Sequence, residues 1–444
     1  MLYRCTDADV EFKRSTSRRG KHKRGTAKRE AVQAHILSHN PTISHYRREH
    51  APNRLYLPSD LCEKRMHQEF SETCNMKVSY AFYCRVMKDM NISLVKLGHE
   101  QCECCVAAIQ HRKQSGHQEQ LTEQNFSCAV CVAFTQHIRA AGESRSAYRE
   151  DGEIVSPKTV VLAVDLQKVI QIPRLEGLKS VVFSQRLLAF NETFAPVGKY
   201  SQKYPVIACV WDEAISGRSA YDILSCFHQV LLRFKDLDKV TLWLDNCSAQ
   251  NKNWNFLIHL TLLINSSLVQ LKEVVLKYFE SGHAFMAADS FHAAVEKGMH
   301  HGGLVITTPD FISVVGKAKK NVEVISLYPN DFFQSSITVS QYTLNLCRPR
   351  PYIEAIKKVV LKKGSYEFEY SSSLGTTAPI NRCNLFSKKQ QKLVIDNFDL
   401  DKTLKRRKSP CGIDKDRKTT LLNTLRPLLE ETKADFWTNL PESK

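Results

Sequence analysis

The stretch that decides the fold is Val240-Thr241-Leu242-Trp243-Leu244-Asp245-Asn246, followed by Cys247-Ser248-Ala249-Gln250-Asn251-Lys252-Asn253. A short apolar run leads straight into an acid. A polar loop follows, and Trp254 to Ile264 then has the apolar texture of a buried helix. A continuous apolar run bounded by turn residues predicts a strand buried on both faces. Open α/β sheets bind ligands beyond the carboxyl ends of such strands, so Asp245 stands where a site belongs. Asp or Asn ahead of a helix is also a common cap. The acids around Asp245 favour the site.

Working outward, Thr159 to Asp165 is a second apolar run that ends in an acid. Val181 to Phe190 and Tyr204 to Trp211 read as further strands, and Ser219 to Phe234 as an amphipathic helix. Behind Asp245 come the Trp254 helix, a strand at Glu273 to Phe279, and a helix entered through Gly282-His283-Ala284-Phe285-Met286-Ala287-Ala288-Asp289-Ser290-Phe291-His292. The order is strand-acid, strand, strand, helix, strand-acid, helix, strand, acidic helix. It predicts an α/β chain with an RNase H-like mixed sheet flanked by helices over residues 159–300. On the last helix Asp289, His292 and Glu296 share one face. Buried acids that cluster imply a cation. Asp165, Asp245 and either Asp289 or Glu296 would hold two Mg²⁺ or Mn²⁺ ions for phosphodiester chemistry. His283 and His292 are candidates to ligate a metal or orient the scissile phosphate. Gln250, Asn251 and Lys252, ahead of a helix, are candidates to hold a phosphate.

A formal charge of +17, from 63 Lys+Arg against 46 Asp+Glu, suggests a polyanionic partner, DNA first. Residues 1–29 read as a basic, disordered arm suited to nuclear import or phosphate contact. Residues 30–98 read as short helices, a possible helix-turn-helix that lays Arg47 and Arg48 on DNA. Residues 99–150 read as a metal-binding segment and linker. Cys102 and Cys105 are spaced C-x-x-C, and so are Cys128 and Cys131. Fifteen cysteines without a secretory leader fit reduced thiols and a metal better than disulfides. Four thiolates, with His137 or His111 as replacements and Cys104 and His117 in competition, predict a structural Zn²⁺ site. No apolar run reaches the length of a membrane span.

Two motifs are specific. D-N-C-x-x-Q-N-K-N stands at Asp245 to Asn253, and G-H-x-x-M-x-x-D-S-x-H-x-x-x-E at Gly282 to Glu296. Through them the chain resembles a set of uncharacterised transposon-derived animal proteins, and at fold level the DDE-type transposases and integrases. The resemblance extends to Arg19-Gly20-Lys21-His22, Ser44-His45-Tyr46-Arg47-Arg48, Cys102 to Cys105, and Phe436-Trp437-Thr438-Asn439-Leu440-Pro441. It implies a nuclear protein that acts on DNA, with Asp165 and Asp245 as the first two metal ligands. The gap to Asp289 suits the transposase pattern, whereas Glu296 has the usual residue type. Members of the set carry more sequence before the basic arm, which implies a shortened N-terminus here.

Residues 301–444 read as an α/β extension. Leu304 to Gly316 suggests strands or an extended connection. Leu404-Lys405-Arg406-Arg407-Lys408 is a basic run, and Thr419 to Phe436 an amphipathic helix that packs on its own chain or on a second copy. Three functions follow: a metal-dependent DNA strand-transfer enzyme, a nuclear DNA-binding or interaction module without catalysis, and an RNase H-like nuclease.

Overall fold

The computed structural model describes residues 21–39, 41, 55–57, 63–74, 76–94, 102–119, 121, 125–175, 181, 185–301, 304–334, 344, 346–347, 349–375, 377–395, 400, 404–429 and 431–443. Arg47 and Arg48 lie outside these residues.

The first body is helical. Helices α1 (Lys21–Ser38), α2 (Glu63–Thr73) and α3 (Tyr80–Asp89) pack around Val32, Ile36, Met66, Phe70, Tyr83 and Val86. Strands β1 (Leu55–Leu57) and β2 (Ile92–Leu94) pair in parallel beside them. Helix α1 starts inside the stretch read as a disordered arm.

Helices α4 (Glu103–Ser115) and α5 (Ala129–Gly152) form a hairpin. Residues 138–158 were expected to be a charged helix end and linker; helix α5 runs on to Gly152. Its polar residues are tied inward: Trp243 Nε1 and Lys277 Nζ each donate to Asp151 Oδ2 at 2.7 Å, and Arg145 and Tyr148 are buried. A buried face built from Arg, Tyr and Asp does not read as apolar, which is why the sequence pattern conceals it.

The main body is a ten-stranded mixed sheet among the described residues. Its strands are β3 (Thr159–Leu166), β4 (Ile170–Ile172), β5 (Leu187–Pro196), β6 (Val206–Asp212), β7 (Lys239–Leu244), β8 (Glu273–Tyr278), β9 (Val322–Ser326), β10 (Lys358–Lys362), β11 (Glu367–Ser371) and β12 (Asn381–Asn384). The order is β12-β11-β10-β8-β7-β3-β5-β6-β9, with β4 on β5. Strands β3, β5 and β6 run antiparallel, while β7 and β8 run parallel to β3. Between them lie the turn α6 (Gly198–Ser201) and helices α7 (Ala220–Arg233), α8 (Trp254–Asn265) and α9 (Ala287–His301).

Side-chain alternation sorts the two faces. Val160, Leu162 and Val164 point to α7 and α8, whereas Val161 and Ala163 point to the side of α9. Ser219 caps α7 in a reciprocal box with Asp222. Ile223, Leu224, Phe227, Val230 and Leu231 then seal it on the sheet, each contributing about 1.5–3 kcal/mol of burial.

The C-terminal third adds to the same sheet: β9 pairs with β6 and β10 with β8. The stretch expected as strands or an extended connection after Leu304 holds helix α10 (Thr308–Lys317), capped by Thr307 and Asp310 with Pro309 in its first turn. After α11 (Lys388–Ile395), the expected Thr419 helix is two helices, α12 (Lys415–Leu425) and α13 (Glu431–Thr438). Pro427 breaks it, because proline lacks the N–H that a continuing helix needs. The basic run lies against the core, with Arg406 bridged to Phe333. No helix among the described residues is long and apolar enough to cross a membrane.

Candidate functional site

Strand β3 ends where its inward residues change from Ala163 to Asp165. The last register pair with β7 is Val164 and Leu244, so Asp165 and Asp245 are the next residues on neighbouring parallel strands. Asp165 continues the face that carries α9. There Asp165, Asp289 and His292 each offer a ligand atom, all within 4.8 Å of one another. His292 Nδ1 is 3.6 Å from Asp165 Oδ2, and its ring is buried. Asp289 Oδ2 also accepts the Met286 backbone N–H at 2.8 Å, which fixes its rotamer at the start of α9.

Asp245 is half-buried and lies beside this group rather than in it. Asn251 Nδ2 donates to Asp245 Oδ1 at 2.7 Å. Burial pushes the Asp245 carboxyl up, and the Asn251 bond with the Cys247 backbone N–H offsets part of that. The Cys247 thiol is raised by burial and then by the Asp245 charge, with Asp165 adding to it, so it feels both carboxylates. Glu296 sits two turns further along α9, half-buried and outside the ligand group.

Glu192 on β5 is a residue that the sequence reading missed. It is buried, its Oε2 has no hydrogen-bond partner among the described residues, and burial, then Asp245, raises its carboxyl well above the ordinary range. The signal present in the sequence was slight: Asn191, Glu192 and Thr193 stand between Phe190 and Phe194, just past the expected strand.

The loop residues expected to hold a phosphate do other work. Lys252 is 1% exposed, and its ammonium donates to Asn246 Oδ1 at 2.6 Å and to the Glu354 carbonyl at 2.8 Å. Asn251 is buried against Asp245, and the Gln250 carbonyl accepts from Asn253 Nδ2 at 3.2 Å. The role assigned to Lys252 is corrected on that ground: its amine is buried and already bonded inside the protein. Asn251 instead positions Asp245.

The cysteines form two groups. The C-x-x-C pairs do not converge, because α4 and α5 run antiparallel and each pair opens a different helix. Cys102 and Cys128 are the N-cap residues of α4 and α5, and Cys105 and Cys131 follow one turn later. Cys102, Cys105, His137 and His283 make one group, and His111, His117, Cys128 and Cys131 the other. In the first, Cys102 Sγ is 3.0 Å from His137 Nε2, His137 Nε2 is 2.9 Å from His283 Nε2, and Cys105 Sγ is 3.6 Å from His283 Nε2. In the second, His111 Nε2 is 3.1 Å from His117 Nδ1 and 3.2 Å from Cys128 Sγ, and Cys131 Sγ is 3.5 Å from His117 Nδ1. Either group could hold a metal such as zinc. His283, expected beside the acids, belongs to the first of them.

Residues 220–346 match a family described as a domain of unknown function, DUF7869. No curated protein and no solved structure matches the chain.

Proposed function

We propose that the chain is a transposase-like enzyme that hydrolyses and joins DNA phosphodiesters on an RNase H-like core. The observation that carries this reading is the meeting of Asp165, Asp289 and His292 within 4.8 Å, beside Asp245. The strand order β6-β5-β3-β7-β8 supports the core, with three antiparallel strands, then two parallel to β3, and α9 following β8. The donor set suits a divalent cation: carboxylates are hard oxygen ligands for Mg²⁺ or Mn²⁺, and the imidazole favours Mn²⁺. When bound, such ions activate water or a 3′-hydroxyl and stabilise the leaving oxygen. The protein's own part is positioning. Asn251 fixes Asp245, the Met286 N–H fixes Asp289, and the buried His292 ring lies against Asp165. The excess of basic residues draws the DNA backbone in. The Cys/His groups suit structural zinc.

The test is nicking or end-joining of DNA by purified protein in Mn²⁺ or Mg²⁺. Asp245→Asn should abolish it while salt-sensitive DNA binding persists. Equal activity of wild type and variant removes the enzyme. A second reading is a DNA-binding module without turnover. It is favoured by the local bonds that Asp245 and Asp289 already make, since each acid has a structural task of its own. It expects salt-sensitive binding and no turnover from the wild type in either metal.

A further inference from the structure

We infer that the chain binds two zinc ions in separate Cys₂His₂ sites, and that the first is a clasp between the helical hairpin and the loop that opens α9.

The geometry fits the ion. Zinc with sulfur at about 2.3 Å and nitrogen at about 2.0–2.1 Å, in a tetrahedron, sets ligand atoms about 3.3–3.8 Å apart. The separations between 2.9 and 3.6 Å are near those edges. Both sites repeat one design. Two cysteines occupy the N-cap and third position of a helix. Two imidazoles come from outside that turn.

The surroundings of the first site point to a ligand independently. His137 turns Nε2 toward the sulfurs, while its Nδ1 meets Glu280 Oε1 at 3.1 Å. Glu280 Oε2 in turn takes Lys357 Nζ at 2.6 Å. A carboxylate on the far nitrogen is the usual outer partner of a metal-bound histidine. Gly282 has φ +76°, and a Cβ there would lie 2.7 Å from Cys102 Cβ, so the loop is moulded onto the cysteine turn. Arg145 completes the clamp, donating to the His283 carbonyl at 3.0 Å and to that of Phe285.

His283 carries the first site across from the hairpin to the segment before α9. The second site closes the far end of the hairpin on itself. The first reaches across to the segment that enters α9, six positions ahead of Asp289. Zinc at the first site is therefore linked to the acid group, and zinc at the second is not. That linkage rests on the proposed cation site at Asp165, Asp289 and His292; the two-zinc count does not.

The test is the metal content of the full chain after gel filtration, with Co²⁺ substitution to read the ligands. Two metals per chain are expected, with spectra of tetrahedral S₂N₂ centres. Cys128→Ser and His283→Ala should each leave one metal, and His283→Cys should restore two. Mn²⁺ binding, followed by electron paramagnetic resonance, should weaken at least tenfold in His283→Ala and stay unchanged in Cys128→Ser. One metal per chain, an S₄ spectrum, or two metals retained by His283→Ala would overturn the two-site assignment. Equal Mn²⁺ affinity in both variants would overturn the linkage alone. Failure to bind Mn²⁺ in the wild type would sink the linkage with the catalytic reading and leave the zinc count standing.

Discussion

Replacing Gly282 with alanine puts the clasp under direct strain. The residue has φ +76°, and a side chain in that left-handed region costs about 1–2 kcal/mol. The new Cβ would stand 2.7 Å from Cys102 Cβ, 3.1 Å from its Cα and 3.3 Å from its Sγ. Carbon atoms pack best about 3.5–4.0 Å apart, so the first turn of α4 must retreat by roughly 0.8 Å. Overpacking of that kind adds about 1–3 kcal/mol. Metal–ligand distances tolerate only about 0.2 Å, so the displacement falls on the first zinc site. A penalty of at least about 2 kcal/mol corresponds to a loss of about 30-fold in zinc affinity there. Competition against chelators of graded strength reads this directly. The site of His111, His117, Cys128 and Cys131 serves as internal reference in the same molecule. If Gly282→Ala holds both zinc ions as tightly as wild type and unfolds at the same urea concentration, the close packing of loop on cysteine turn is wrong.

Three further outcomes follow from the acid group and its loop. Asp165→Asn should eliminate Mn²⁺-dependent DNA cleavage and leave binding at low salt within about twofold, since phosphate contacts dominate affinity; filter binding and gel-based nicking separate the two. Asn251→Ala removes the bond that orients Asp245, so the Mn²⁺ concentration for half-maximal cleavage should rise about 10- to 100-fold, the usual effect of losing an outer-shell partner; an unchanged metal dependence would leave Asn251 a purely structural role. Burial first, then Lys357, holds the Lys252 ammonium down to about 7 from an ordinary 10.5. Between those values the unfolded chain binds more protons than the folded one, so stability rises with pH, and the penalty is complete below about 7. Wild type should therefore gain about 2 kcal/mol relative to Lys252→Met between roughly pH 7.5 and 9.5, read by urea titration at each pH. Parallel stability curves would contradict a charge-poor environment for Lys252.

The elements that could be read from the sequence are those whose burial is apolar and local. Val160 to Val164 and Val240 to Leu244 announce central strands because every residue is buried by neighbours on both faces. Asp165 and Asp245 then stand out as acids at the ends of such runs. Helix α5 was harder, since Arg145, Tyr148 and Asp151 face inward and their hydrogen bonds reach residues more than ninety positions away. Glu192 was passed over because the expected strand stopped at Phe190, whereas β5 runs from Leu187 to Pro196. The cysteine pairs were recognisable as ligands, but their division was not. Spacing reports which residues can bind; only the antiparallel course of α4 and α5 decides which meet. His283 illustrates the limit, as its motif partners Asp289 and His292 go to the acids while it goes to the thiols.

The two cysteine groups differ greatly in the length of chain that each encloses. His111 to Cys131 is a short loop, whereas Cys102 to His283 takes in the sheet's central strands. Bringing distant ends together loses more conformational entropy than closing a short loop. The hairpin's own knot can therefore tie while the remainder is still being synthesised. The other must wait until strand β8 and the segment after it exist. Helix α9, which follows that segment, is thus locked later than the hairpin.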